Sequence, residues 1–523
     1  MRAARYRLFT LLGGDRGAGQ IREFLRSGDP YRDRWAQFAS WADQIDPAPV
    51  EDDRKILVSS VLPHWIDVCL VISVVLAQQG HNVVFAWLPY VRNDKPFSLV
   101  TALHDRFARL FPSPVQHPRL RVINLLRVPP LPLDSKLLRH VEEQSVVDAA
   151  YVTRRGEIDS ASFRDRMLVR IRSKRNARAM GSLLRLLKED SYKSLLTPHG
   201  NVMEFGVALR LAQELGVNPV TFEFWDEENS IIAARGEPSV LLNTRDAWEK
   251  DAPHTMTPER RSRVEQYMKI REGTDWPGFF LPMQSSPIED TNAARLGITG
   301  KRPVFLMCPG AAWDALHLNL PGYPFGSMLE WVRETLRFFA SRSDCDLVVR
   351  CHPVESRIAT TQRMQDVVRE ELGRIPDHIR VIASEDPVNT YSLMEMATAG
   401  IAYTSTTGLE MLMRGIEVVI GGPAHYGGKG FTHDLGSREE YFEMINSIVR
   451  AFPHVDGLSQ RRRELALCYL DVLRNWAKPF PWSMDNLKSE VGVLSPTGLM
   501  TEEGAARFGA TFEFLSGEVK ASS

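Results

Sequence analysis

One stretch constrains the fold more than any other: KILVSSVLPHWIDVCLVISVVLAQQGHNVVFAW, residues 55–87. Ile56–Val61 is short and β-branched, the apolar run after it ends near Gln79, and Val83–Trp87 is strand-like again. Gly80 supplies the left-handed stop between helix and second strand. A buried helix between two buried strands is a βαβ unit, and that unit requires a parallel sheet. The pattern returns around Tyr192, where SYKSLLTPHGNVMEFGVALRLAQELGVNPVTFEF reads strand, Pro-His-Gly-Asn turn, helix, Gly216, strand.

After residues 276–300, where Gly, Pro, Ser and Asp gather without periodicity, the alternation restarts. Strands are expected at Pro303–Met307, Leu347–Cys351, Val381–Ala383, Ile401–Thr404 and Val418–Gly421. Helices are expected at Met328–Ala340, Arg357–Leu372, Asn389–Ala397 and Leu409–Met413. The chain therefore divides into a helical extension (1–50), a first Rossmann-like lobe (51–275) with a helical insertion at about 135–190, a linker (276–300), a second lobe (301–458) and a C-terminal helix with a polar tail (459–523). Two such α/β lobes suggest a cleft between them. Ligands of open α/β sheets bind beyond the carboxyl ends of the strands, so the loops there are where chemistry belongs.

Composition narrows the function. Lys+Arg is 64 and Asp+Glu 65, a net charge of −1 that gives no basic excess for nucleic acid. The five cysteines are scattered without a CxxC pair, which argues against a disulfide framework or zinc site and for a reducing compartment. The longest near-apolar run, Val68–Ala77, is too short to cross a bilayer, and MRAARYRLFTLLGGDRG lacks the apolar core of a signal peptide. The expected location is cytoplasmic. Arg164–Lys188 carries nine basic residues against Asp165 alone, a solvated helix face or a basic surface for an anionic substrate or for anionic lipid at the inner face of the membrane.

Four segments of the second half carry candidate chemistry. In DLVVRCHPVESR, His352 follows a strand, and Pro353 suits the first position of a helix whose N-terminus would favour an anion. An imidazole there can hydrogen-bond or protonate a phosphate, with Glu355 orienting a partner. In GIAYTSTTGLEMLMRG, Ser405, Thr406 and Thr407 form a hydroxyl-rich loop suited to phosphate oxygens, and Glu410 can accept from ribose hydroxyls. Thr407-x-x-Glu410 is equally a capping box. In GGPAHYGGKGFTHD, five glycines allow close backbone approach and Lys429 can neutralise a phosphate. In MCPGAAWDALHLNL, Asp314 can bind hydroxyls or cap a helix. In the first half, His64, Asp67, His199, Glu223, Asp226, Glu227 and Glu228 follow strands and are candidates for a general base.

Taken in order, PHGN, VTFEF, CPGAAWD, LVVRCHPVE, STTGLEMLMRG and GGPAHYGGKGFT resemble the bacterial capsule-polysaccharide-biosynthesis type of glycosyltransferase, which has the two-lobed GT-B fold. The resemblance covers roughly residues 190–435. The HP and Ser/Thr motifs are also similar to those of sialyltransferases, Kdo transferases and poly(glycerol phosphate) transferases. It implies that His352 and Ser405–Thr407 contact the donor phosphate and Glu410 the ribose. It implies no cofactor, since the nucleotide-sugar is a substrate. The sialyltransferase base motif, an acidic pair followed by Gly, is matched only by Asp226-Glu227-Glu228-Asn229, without the Gly. Both the base and the nucleotide (CMP, UDP or GDP) therefore stay open.

The expected function is transfer of a sugar from a nucleotide-sugar to a surface polysaccharide or lipid-linked glycan, without a required metal. Alternatives are a CDP-polyol phosphotransferase, a nucleotide-sugar epimerase of the same fold and a non-catalytic scaffold in polysaccharide assembly.

Overall fold

The computed structural model describes residues 39–43, 54–89, 115–227, 229–273, 287–288, 295–316, 320, 322–455, 457–483 and 496–518. Nearly all of the expected N-terminal extension, most of the expected linker and Glu228 lie outside these residues. The chain forms two α/β units: residues 1–152, 159–242 and 477–523, and residues 153–158 with 243–476.

The first unit holds β1 (Lys55–Val61), α1 (Pro63–Gln78), β2 (Asn82–Leu88), β3 (Gln116–His117), β4 (Leu120–Asn124), α2 (Ser135–Thr153), α3 (Phe163–Glu189), β5 (Tyr192–Pro198), α4 (Met203–Leu215), β6 (Asn218–Phe224) and β7 (Ser230–Arg235). The sheet order is β13-β7-β6-β5-β1-β2-β4-β3, with β13 (Lys478–Pro479) returning from the end of the chain. The five strands from β6 to β4 are parallel; β7, β13 and β3 are antiparallel, with β13 and β3 at the edges. β1 is buried at every position after Lys55, the two-sided burial that makes a parallel strand read as an unbroken apolar run.

The second unit holds α5 (Arg245–Lys250), α6 (Pro258–Glu272), β8 (Val304–Met307), α7 (Met328–Ala340), β9 (Asp346–Arg350), α8 (Val354–Arg357), α9 (Met364–Leu372), β10 (Ile379–Ile382), α10 (Thr390–Met394), β11 (Ala399–Ala402), α11 (Thr406–Met413), β12 (Glu417–Ile420), α12 (Arg438–Ala451) and α13 (Gln460–Trp476). Its sheet, β10-β9-β8-β11-β12, is parallel throughout. Ser327 caps α7 by accepting from the Glu330 N–H, and Trp331, Leu336 and Phe339 are fully buried beneath it.

Three expectations are corrected. The first lobe ends at Leu242 rather than near 275, because α5 and α6 pack with α13 in the second unit; Arg260 and Arg263 of α6 both bond Asp471 of α13. The helix expected at Arg357–Leu372 is shorter: α8 ends at Arg357, and the buried Glu355 carboxylate accepts the Met364 N–H and starts α9 afresh. The C-terminal segment is more than a polar tail. β13 extends the first sheet, and the helix Glu502–Leu515, here α14, buries Phe508, Phe512 and Leu515 in the first core.

Two helices, α2 and α3, fill the expected insertion. The basic run in α3 does not form one outward face. Arg172 is fully buried, Arg178 donates to the Leu126 carbonyl, and Arg185 donates to the Pro129 carbonyl. Among the described residues no helix is long and apolar enough to cross a membrane.

Candidate active site

Numbered by appearance, the parallel strands of each unit run 3-2-1-4-5: β4-β2-β1-β5-β6 in the first and β10-β9-β8-β11-β12 in the second. The order reverses between β1 and β5, and between β8 and β11. Loops diverge at such points and leave a crevice at the carboxyl ends. Most of the candidate residues fall on these ends.

In the second unit β11 leads through Tyr403 to Ser405, the N-cap of α11. Ser405 Oγ accepts the Thr407 N–H at 3.2 Å, and the two side-chain hydroxyls lie 3.1 Å apart. Ser405, Thr406 and Thr407 are half-buried, so the first turn offers hydroxyls and main-chain N–H groups to an anion. The glycine-rich loop is packed against this turn. Tyr426 donates to the Ser405 carbonyl at 2.9 Å, and a Cβ on Gly408 would lie 2.1 Å from that hydroxyl. A Cβ on Gly422 would meet the Tyr403 ring at 2.5 Å. At least these glycines serve close packing within the protein rather than approach to a ligand.

β9 ends at Arg350, and His352 follows. His352 Nδ1 accepts the Val354 N–H at 3.2 Å, which places the imidazole proton on Nε2. Burial, reinforced by Arg350, Arg271 and Arg357, pulls its pKa down to about 4. A neutral ring that donates from Nε2 results. The buried Arg350 guanidinium donates to the carbonyls of Ala383, Asp386 and Val388. It therefore pins the loop after β10 while leaving a cation beneath His352. α8, which follows His352, is a single turn and gives little of the dipole expected there. The Glu355 carboxylate is buried and accepts the Met364 N–H, and burial pushes its pKa up to about 7.

Glu410 is 3% exposed and does not close a capping box. Ser405 caps α11, and Glu410 is ion-paired with Arg271 of α6 at 2.8 Å. The Tyr391 hydroxyl joins this pair. Lys429 Nζ folds back to the carbonyls of His425 (2.9 Å) and Gly427 (3.3 Å), and burial lowers its pKa to about 8. Asp314 is exposed in a turn closed by its N–H on the Ala311 carbonyl, next to the buried Trp313.

In the first unit Pro198 of β5 is in register with Phe222 of β6, so the next residues, His199 and Glu223, fall side by side. His199 Nδ1 contacts a Glu223 carboxylate oxygen, and the Phe224 N–H orients the other oxygen at 3.2 Å. Trp65 stands edge-on to the imidazole with centroids 4.8 Å apart. With Nδ1–H donating to Glu223, Nε2 is left as a proton acceptor, the arrangement of a general base. Asp226 and Glu227 lie in the β6–β7 turn at the same sheet end. Asp67 is buried within α1, and the His64 side chain lies outside the described residues.

The structure thus gathers His352, Ser405–Thr407 and Glu410 in one unit and His199 with Glu223 in the other. Sequence reading missed Arg271, Arg350 and Trp65. Trp65 carried a signal, one residue after a strand-end His; Arg271 carried none, standing among the many charges of α6. Among the described residues no group of three or more His, Cys, Asp or Glu side chains is placed to hold a metal ion.

Comparison with curated proteins finds no match. Among solved structures, the chain is similar to a beta Kdo 2,4 transferase, KpsC, of Thermosulfurimonas dismutans, with 15% identity over 56% of this chain and 92% of that one, at a TM-score of 0.33. An alpha,alpha-trehalose-phosphate synthase (UDP-forming) from Burkholderia vietnamiensis gives 15% identity, 86% and 99% coverage and a TM-score of 0.31. The UDP-GlcNAc 2-epimerase from Neisseria meningitidis gives 9% identity, 80% and 100% coverage and a TM-score of 0.23. Residues 284–445, which contain His352, Ser405–Thr407, Glu410 and Lys429, match the family model described as Capsule polysaccharide biosynthesis protein, and in this segment the resemblance read from the motifs is borne out.

Proposed function

We propose that the protein is a GT-B-type glycosyltransferase that moves a sugar from a nucleotide-sugar to a surface polysaccharide or lipid-linked glycan acceptor. The observation that carries this reading lies at the carboxyl ends of β9 and β11, where a neutral His352 donates from Nε2 and Ser405 and Thr407 present hydroxyls at the start of α11. His199 Nδ1 is held by Glu223, so Nε2 accepts a proton. His352 Nδ1 is held by the Val354 N–H, so Nε2 donates one.

In this reading His199 Nε2 takes the proton of the acceptor hydroxyl as its oxygen bonds the anomeric carbon. The anomeric carbon–oxygen bond to the nucleotide phosphate breaks, and the electron pair leaves with the phosphate. Negative charge then grows on that phosphate, where the α11 N-terminus, the Ser405–Thr407 hydroxyls and the His352 Nε2–H stabilise it. Arg350 and Arg271 add positive potential without direct contact being required. Lys429 and Asp314 are proposed for the outer part of the donor site and Glu410 for the ribose side. These groups serve the phosphate without a divalent ion, and unchanged turnover in EDTA is the expected result.

The match of residues 284–445 to a capsule polysaccharide biosynthesis family supports an acceptor of that class. The direct test is incubation with CMP-, UDP- and GDP-sugars and a capsular oligosaccharide, with the products read by mass spectrometry. A glycan one sugar longer, formed with equimolar nucleotide, supports transfer. A new nucleotide-sugar formed without acceptor supports the epimerase instead, and a phosphodiester in the product supports the polyol phosphotransferase.

A further inference from the structure

The helical insertion α2–α3 takes no part in the site as described, yet it contains a buried ionic cluster in the first unit. Asp148 and Arg172 are fully buried and Glu204 is 5% exposed. Arg172 reaches Asp148 at 3.2 Å and Glu204 at 3.1 Å, and Arg175 reaches Glu204 at 3.4 Å. Burial raises the pKa of Asp148, whereas Arg172 and Arg175 outweigh burial and hold Glu204 low. Such a cluster is poor value for stability alone, since apolar side chains of similar volume do as well or better. Its geometry points elsewhere.

Asp148 accepts the main-chain N–H of Met203, and Gln144 donates from Nε2 both to Asp148 (2.8 Å) and to the Asn201 carbonyl (3.1 Å). Asn201 and Met203 close the loop that begins at His199. That loop is strained: His199 and Met203 have φ of 53° and 55°, left-handed values that side chains other than glycine adopt at a cost. Gly206 of α4 clears the route, because a Cβ there would lie 2.1 Å from Gln144 Oε1. Asn176 completes the grip, donating to Asp148 at 2.7 Å and to Ser145 at 3.1 Å.

We infer that Asp148 and Gln144 are positioning residues for His199: the insertion is a brace that holds the β5–α4 loop so that the imidazole stays against Glu223. The inference rests on the base role proposed for His199, but its first readout does not. In protein carrying 15N-labelled histidine, the His199 Nδ1–H bonded to Glu223 gives a downfield proton resonance, assigned by its loss in His199→Ala. Asp148→Asn and the milder Gln144→Leu are expected to shift or broaden that resonance while the far-UV spectrum stays native. They are also expected to lower kcat about 10- to 100-fold with the donor KM unchanged, as for a reacting group displaced by part of an ångström. An unaltered resonance in a folded variant overturns the inference; should Asp148→Asn fail to fold, Gln144→Leu decides. An altered resonance with unchanged kcat supports the brace and removes His199 as base, and full turnover by His199→Ala removes the base independently.

Discussion

Arg271 and Glu410 stand 139 positions apart in the chain and are ion-paired across the second unit, the guanidinium Nε donating to Glu410 Oε1 at 2.9 Å. The pair ties the end of α6 to α11, whose first turn is the proposed phosphate site, and it brings a cation close enough to His352 to lower its pKa. In the proposed donor site a nucleotide ribose would share Glu410 with Arg271.

Removing the cation alone is expected to be worse than removing both charges. Arg271→Ala strands a carboxylate whose side chain is 4% exposed, leaving it beside the Tyr391 hydroxyl, at a cost of about 3 kcal/mol. Urea denaturation at pH 7 should show Arg271→Ala/Glu410→Gln to be more stable than Arg271→Ala. Equal stability of the two would show that the pair carries no net charge coupling.

His352 should titrate near 4, well below an ordinary histidine, and move upward when an anion binds, because a phosphate beside Nε2 favours the protonated ring. The folded protein resists protonation that the unfolded chain accepts, so this group makes stability fall as pH drops from about 6.5 towards 4. NMR titration of the His352 ring with and without a nucleoside diphosphate checks both statements, and a midpoint near 6.5 that ignores the nucleotide contradicts them.

Glu355 gives the opposite slope. Its folded pKa of about 7 exceeds the ordinary 4.5, so the native state keeps a proton that the unfolded chain has lost, and stability falls as pH rises from 4.5 to 7. Glu355→Gln retains an oxygen for the Met364 N–H and removes the buried charge. It should stabilise the protein at pH 8 by about 2 kcal/mol and flatten the profile between those limits. Thermal melts across pH read this directly.

Gly408→Ala should destabilise by about 1–3 kcal/mol, because its Cβ would overlap the Tyr426 hydroxyl. Tyr426→Phe in the same chain should recover part of that loss, and a double-mutant cycle gives the coupling. Additive effects would show that the loop moves aside.

What was legible in the sequence follows from how local the physics is. The βαβ alternation and the 328–340 helix are written in runs of consecutive side chains. The place of His352 and of Ser405–Thr407 at strand ends followed from those runs, and the match of 284–445 agrees with the motifs quoted. What was missed depends on distance in sequence. Thr407-x-x-Glu410 reads as a capping box until Arg271 is seen to claim the carboxylate. Residues 357–372 keep a helical pattern, yet Glu355 starts a new helix at Met364 through a buried bond nine positions on. The nine basic residues of 164–188 read as one face, but burial divides them among carbonyls, Glu204 and solvent.

In the function proposed above, His352 and the α11 N-terminus receive the phosphate of a nucleotide-sugar. The most direct measurement is the thermal shift of wild type and His352→Ala against CMP, CDP, UDP, GDP and dTDP, since a ligand well above its Kd raises the melting temperature by mass action. A clear rise is expected with one nucleotide, strongly reduced in His352→Ala, with the preferred base naming the donor class. A rise of equal size in the variant, or none with any nucleotide, would contradict it.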